Sequence, residues 1–204
     1  MPYDVTILTV RPGTNASALG RLGAWLQGNK LTGELLACLH AELGALNQIL
    51  MLRHYANESS LAADRGKVLE SGDAFGIGDL TVATTMDTYV SLPFIEPIRP
   101  GRHGPVYEVR TYELKPGGLP PTIEAWRQSV PGRVKLSPVF AAMYTISGAV
   151  PRFMHIWPYS DLEERRRIRA QAVETGVWPP PGGPEHLAAQ QSDIFLPTPF
   201  SPSQ

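Results

Sequence analysis

Residues 3–10 (YDVTILTV) and 107–114 (YEVRTYEL) alternate apolar and polar side chains, are rich in Val, Thr and Tyr, and each stops at an Arg-Pro-Gly or Lys-Pro-Gly turn. That pattern predicts a strand and its exit. A helical period follows each. Ala18, Leu22, Trp25 and Leu26 share one helix face after the possible caps Thr14 and Asn15, and Ile123, Trp126 and Val130 do so before Pro131-Gly132. Two apolar runs come next in each case, at about 35–43 and 46–55 and at 139–147 and 150–157, joined at Gly44-Ala45 and Gly148-Ala149 as tight hairpins. A second helix closes on Gly72 or Gly176, both suited to the position after a helix end; the later one opens on a capping box, Ser160 to Glu163. A last short segment ends at Leu92-Pro93 and again at Leu196-Pro197.

The same order appears twice because the sequence repeats at an offset of 104 residues. Tyr3, Val5, Gly44, Tyr55, Arg65 and Gly72 recur as Tyr107, Val109, Gly148, Tyr159, Arg169 and Gly176. Fourteen of about ninety aligned positions agree, against roughly six expected from average residue usage. Conservative pairs such as Asp4/Glu108 and Leu52/Ile156 keep the same offset. The chain therefore divides into halves at 1–93 and 107–204, with a Pro- and Gly-rich linker at 94–106. Each half reads β-α-β-β-α-β, the ferredoxin-like unit, which makes the fold class α+β.

Composition narrows the functions. With 204 residues and 43% hydrophobic content the chain can build packed cores, and 18 basic against 19 acidic residues leave no electrostatic footprint for nucleic acid or an anionic membrane. One cysteine, Cys38, excludes an internal disulfide and a cysteine-based zinc cluster, and points to a reducing compartment. The start MPYDVTILTV has no basic region and is too short to span a membrane, so it is expected to be the first strand of a cytoplasmic protein. The five histidines, at 40, 54, 103, 155 and 186, have no metal-site spacing. Gly72, Gly76 and Gly78 lack the strand and the Lys-Ser/Thr of a phosphate loop.

YEVRTYELKPG at 107–117, the helix with Trp126, RFMHIWPYSDLEERRRIR at 152–169 and Trp178-Pro179 resemble the NIPSNAP family. The resemblance implies the dimeric α+β barrel fold; the two ferredoxin-like halves are expected to face each other and form a barrel within one chain, with chains pairing further through exposed edges into at least a homodimer. The first half is less similar, with Arg53 where the motif has Trp157, and Thr6 and Leu8 at the Arg110 and Tyr112 positions. The wider barrel superfamily includes cofactor-free monooxygenases, isomerases and cyclases beside haem proteins, so fold alone does not choose a reaction.

In such a barrel one sheet face meets the helices and the other meets the interior. Leu50, Leu52, Met154 and Ile156 are aliphatic and are assigned to the helices, together with Tyr3, Val5, Ile7, Tyr107 and Val109. The barrel interior is then expected to hold Leu8, Met51, Arg53, Phe153, His155 and Trp157, with Thr6, Ile49, Arg110 and Tyr112, a mixed aromatic and polar wall suited to a small hydrophobic or aromatic ligand. His155 is the candidate general acid or base, because an imidazole in an aromatic-lined cavity can titrate near neutrality, with an ordinary pKa of about 6.5; the alternative is a hydrogen-bonded core histidine. Arg110 and Tyr112 are candidates to stabilise an enolate or oxyanion, with Arg110 alternatively paired to Glu108 or Glu113. Arg53 is the candidate grip for an anionic group, and Trp157, Phe153, Met51 and Leu8 the apolar wall. His40, His54 and Tyr144 have no assigned facing. Arg165, Arg166, Arg167 and Arg169 read as a solvated helix face, and Trp178 with the prolines after it as an anchored loop. No cofactor is expected; haem on His155 is the one left open. The function expected is a cofactor-independent enzyme acting by proton transfer, cyclisation or oxygenation on an aromatic or polyketide-like molecule, or alternatively a non-catalytic binding or interaction module.

Overall fold

The computed structural model describes residues 1–204. The first half contains β1 (Tyr3–Val10), α1 (Asn15–Gly28), β2 (Glu34–Leu43), β3 (Gln48–His54), α2 (Glu58–Glu70) and β4 (Thr81–Ser91). The second repeats it as β5 (Val106–Leu114), α3 (Leu119–Arg133), β6 (Ala141–Ser147), β7 (Arg152–Tyr159), α4 (Leu162–Glu174) and β8 (Leu187–Pro197). Three local details differ from the sequence reading. The α3 helix runs through Pro131 to Arg133, whose buried guanidinium bonds Ser137 and Tyr159 and so holds the last turn in place. The capping box of α4 lies one residue later: Asp161 accepts from the Glu164 amide, and the Glu164 carboxylate accepts from Ser160. The terminal strands are 11 residues each, longer than expected.

All eight strands close into one antiparallel barrel in the order β1-β3-β2-β8-β5-β7-β6-β4. Each half supplies four strands, and its last strand crosses to the other half, β4 onto β6 and β8 onto β2. The two facing sheets are thus joined within one chain, as expected, but no sheet edge is left unpaired, so the exposed edges expected to pair one chain with another are absent. The segment after each crossing strand packs on the other half's helices: Phe94 and Ile95 beside Trp126, and Phe200 against Gly23 of α1. The predicted linker is folded too. Ile98 is buried in the barrel core, His103 stacks on Phe140, and Gly101 pairs with Ser203 of the C-terminal tail. No helix is long and apolar enough to cross a membrane.

The strand parity is the reverse of the expectation. Tyr3, Val5, Leu50, Leu52, Tyr107, Val109, Met154 and Ile156 fill the barrel interior, together with Leu39, Tyr89 and Phe195. Leu8, Ile49 and Met51 pack under α1 and α2, while Phe153 and Trp157 pack under α3 and α4. The reason is solvent. Closure within the chain cuts off from water the part of the interior where these side chains meet, so the most apolar of them go there, while the exposed Thr85, Glu113 and Gln191 line a cavity of about 300 Å³ at the other end. The mixed faces meet helices whose outer sides are wet, and their polar atoms can be satisfied by arginines reaching down from those helices.

Candidate active site on the second half

Glu108, Arg110 and Tyr112 alternate along β5, and Phe153, His155, Trp157 and Tyr159 along β7, so all point to the same side of the sheet. The register sets Glu108 opposite Trp157, Arg110 opposite His155 and Tyr112 opposite Phe153. Above this face lie Trp126 and Arg133 of α3 and Arg169 of α4, and the loop after α4 contributes Trp178, Pro179 and Pro180. Between them is a cavity of about 220 Å³, small beside the roughly 300–1,000 Å³ of drug-sized sites and suited to a molecule of a few rings.

Its walls are aromatic. The Trp126 ring centroid is 4.8 Å from those of Phe153 and His155, and 4.9 Å from that of Trp178. The Arg133 guanidinium stacks 4.1 Å over Trp157. The loop Trp178 therefore serves as the anchor that was expected, and its prolines complete the cavity wall.

Glu108 is fully buried, and one oxygen, Oε1, accepts from Arg165 at 2.7 Å, Ser192 Oγ at 2.8 Å, Arg110 at 3.0 Å and Arg169 at 3.5 Å. Burial alone would raise its pKa, but the bond from Arg165 and the charges of Arg110 and Arg169 hold it below the ordinary carboxylate range. Its other oxygen, Oε2, is buried with no partner. Arg110 gives Nε to the Tyr112 hydroxyl at 2.7 Å and Nη1 to Glu108. The alternative reading of Arg110 as half of an ion pair with Glu108 is therefore present in the fold, beside its place on the cavity wall. Burial raises the Tyr112 pKa, and Arg110 only partly offsets it, so the phenol stays protonated near neutrality.

His155 is 1% exposed. Its Nδ1 accepts a hydrogen bond from Trp157 Nε1 at 2.6 Å. An indole N–H can only donate, so Nδ1 carries no proton and the neutral ring carries its proton on Nε2, which is buried and unpartnered. Burial, and then the charges of Arg110, Arg169 and Arg133, push the His155 pKa well below 6.5. This corrects the reading of His155 as a base titrating near neutrality: the ring is neutral, and its unpartnered nitrogen, Nε2, is a donor. Neither nitrogen offers a lone pair to haem iron while the Trp157 bond stands, and no group of three or more His, Cys, Asp or Glu side chains is placed to hold a metal ion.

Of the residues expected in the site, Arg110, Tyr112, His155 and Trp157 line the cavity together, and Phe153 supports its wall from behind. Arg53, Met51 and Leu8 do not join them, because the reversed parity places them under the first half's helices. Arg53 donates to the Gly33 carbonyl there at 3.1 Å, and with Asp4, Tyr55, Asp64 and Arg65 it surrounds a space of about 10 Å³. The first-half counterpart of the cavity is thus filled. His40 and Tyr144 fall on the helix-facing sides of their strands opposite Ile49 and Phe153, and His54 stacks on Tyr3 at a strand end. Glu108, Arg133, Arg165, Arg169 and Trp178 were not assigned to the site. Arg166 and Arg167 keep the solvated pairing expected of that face, whereas Arg165 and Arg169 turn down to Glu108. A signal existed in the repeat: the Asp4–Arg65 ion pair recurs as Glu108–Arg169 at the same offset.

Residues 107–202 match the NIPSNAP family model. A NipSnap homolog of Dictyostelium discoideum is 36% identical over 73 residues, covering 36% of this chain and 33% of that protein. The human NipSnap homolog 3A is 25% identical over 172 residues, 78% of this chain and 68% of that one. The chain spans about a third of the length of the first of these relatives. Among solved structures, an anthrone oxidase-like protein superposes with a TM-score of 0.68 at 9% identity over 96% of this chain and 90% of its own. A protein of Lactobacillus acidophilus named provisionally as a monooxygenase gives 0.62 at 8% identity, over 97% and 94%. At these identities the two share the fold.

Proposed function

Since residues 107–202 belong to the NIPSNAP family, we propose that this half binds a small planar aromatic or polyketide-like molecule and acts on it without a resident cofactor, by holding its enolate or phenolate form. One observation carries the reading. Three arginines line the cavity, Arg110, Arg133 and Arg169, against a single carboxylate, Glu108, so the site has an excess of two positive charges between aromatic walls. Such a site favours a flat ligand with an ionisable oxygen, and stabilising that oxyanion is the step that proton transfer, ring closure and oxygenation of such molecules have in common. The expected role of each residue follows from its chemistry. Arg110, Tyr112 and His155 face the oxyanion as donors, and Trp126, Trp157 and Trp178 hold the ring.

A second reading, capture of such a ligand without turnover, is favoured by a separate fact: burial and neighbouring charge move His155, Tyr112 and Glu108 all away from neutrality, so none is poised as a base at pH 7. The name of the anthrone oxidase-like neighbour supplies a first substrate. Binding of anthrone and of naphthoates is followed by quenching of tryptophan fluorescence, and oxygen uptake and product formation are followed with flavin and metal excluded. Arg110→Met is expected to weaken binding, whereas Arg21→Met, in a surface pair with Asp79, is expected to leave it unchanged. Binding with no product would leave the capture reading, and no binding of any aromatic anion would reject both.

A further inference from the structure

Within that ligand site, on whose reading this inference rests, two buried polar atoms have no partner in the protein: His155 Nε2 and Glu108 Oε2. Both residues line the same cavity, and they are diagonal neighbours across β5 and β7, since Glu108 pairs with Trp157 and Arg110 with His155. Their backbones are therefore about 7–8 Å apart. Their chemistry is opposite and fixed. The indole of Trp157 leaves His155 with its proton on Nε2, a donor; four donors crowd Glu108 Oε1 and leave Oε2 as a free carboxylate acceptor. Buried polar atoms without partners are rare in folded proteins, and two of opposite sense in one cavity describe the ligand that would satisfy them.

We propose that the cavity selects a planar aromatic that presents both an anionic or carbonyl oxygen, taken by His155 Nε2–H, and a separate phenolic or enolic hydroxyl, donated to Glu108 Oε2. The excess of positive charge assigns the anion to the ligand's acceptor end. Trp157 acts here as a positioning residue: it decides which nitrogen of His155 bears the proton. A ligand with the anion but no hydroxyl leaves Glu108 Oε2 desolvated and unpaired, a loss of roughly ten- to a hundredfold in affinity.

The test compares 3-hydroxy-1-naphthoate, 1-naphthoate and 3-methoxy-1-naphthoate on the unmodified chain by tryptophan quenching. In the hydroxy acid the two groups are meta and do not bond to each other. It is expected to bind at least about tenfold more tightly than the other two, which lack the donor. Nitrogen NMR of ¹⁵N-histidine-labelled protein is expected to show His155 protonated at Nε2, and Trp157→Phe to release that preference and to weaken all three acids alike. Equal binding of the hydroxy and methoxy acids, or a proton on Nδ1 in the unmodified protein, overturns the inference while leaving an aromatic-anion site. If no naphthoate binds, the site reading itself fails and the inference with it.

Discussion

Trp157 and His155, two residues apart on β7 and on the same face of the sheet, are joined by a hydrogen bond from indole to imidazole of 2.6 Å. The bond converts a residue type usually read as a proton acceptor into a fixed donor. It also makes protonation of His155 costly, since a second proton would have to enter at Nδ1 against the indole N–H, in a site already ringed by arginines.

A pH dependence follows. The unfolded chain protonates this histidine at about pH 6.5, whereas the folded chain does so only well below, so unfolding takes up a proton in that interval. The stability is fully present above about pH 6.5 and falls as pH drops below it, by up to about 1.4 kcal/mol per pH unit for one group. His155→Gln, which can still accept from Trp157, is expected to unfold with a shallower pH dependence between 6.5 and 5. Urea titrations across that range check it; parallel curves for the two proteins would show that His155 does not titrate as described.

Glu108 is the single counter-ion of Arg110, Arg165 and Arg169 at the base of the site. Replacing it by Gln keeps its size but leaves three arginines without an anion, two of them, Arg110 and Arg169, on the cavity wall. Removing one partner of a buried ion pair typically costs about 3–5 kcal/mol, and Glu108→Gln is expected in that range by urea unfolding. Glu163→Gln, which breaks an exposed pair with Arg166, serves as the control and is expected to change nothing measurable.

How far this site was legible in the sequence depends on what each face of the sheet meets. Alternation, turn residues and the repeat are local signals, and they located β5, β7 and the helices above them, so Arg110, Tyr112, His155 and Trp157 were rightly grouped on one face. Which side that face turns to is not local. Both faces are covered, and parity distinguishes them only by chemistry, which here favours the barrel interior for Leu50 and Met154, both buried there among other apolar side chains. For the same reason Arg53 seemed to share the site with His155. Arg165 and Arg169 look like any charged helix face in sequence; that they reach a buried carboxylate 57 and 61 residues earlier is a tertiary fact.

The two halves hold each other by a reciprocal contact at the hairpins. Asp193 of β8 accepts from the Ala45 amide at 2.8 Å and lies against Gly44, and Asp87 of β4 lies against Gly148 while binding Arg152 at 2.6 Å. A Cβ on either glycine would overlap the aspartate oxygen, and both glycines have positive φ, +98° and +94°. Gly44→Ala and Gly148→Ala are each expected to cost more than Gly13→Ala. At Gly13 φ is +81° but the space is open, so only the backbone penalty of about 1–2 kcal/mol applies. Thermal melts of the three variants rank them, and equal losses would mean that the aspartates move aside.

The same interlock decides whether a half is an independent unit. Separated, each half would expose the edge strands that now pair across the junction, β2 and β4 in one and β6 and β8 in the other, and would open the apolar barrel interior. Unpaired apolar edges associate, so either half expressed alone is expected to aggregate or remain unfolded. A single cut between Glu96 and Pro97 is different. Both residues are exposed, and the cut leaves Ile98 in the core and Gly101 paired to the tail. The fragments are expected to co-purify as one complementary pair with the mass of one chain, because two strand pairings and the shared core hold them without the covalent link. Co-expression with a tag on one fragment, followed by sedimentation, reads this directly. Recovery of two folded, separate halves would mean that the barrel does not close within the chain, and mass twice that of one chain would place a second copy against it.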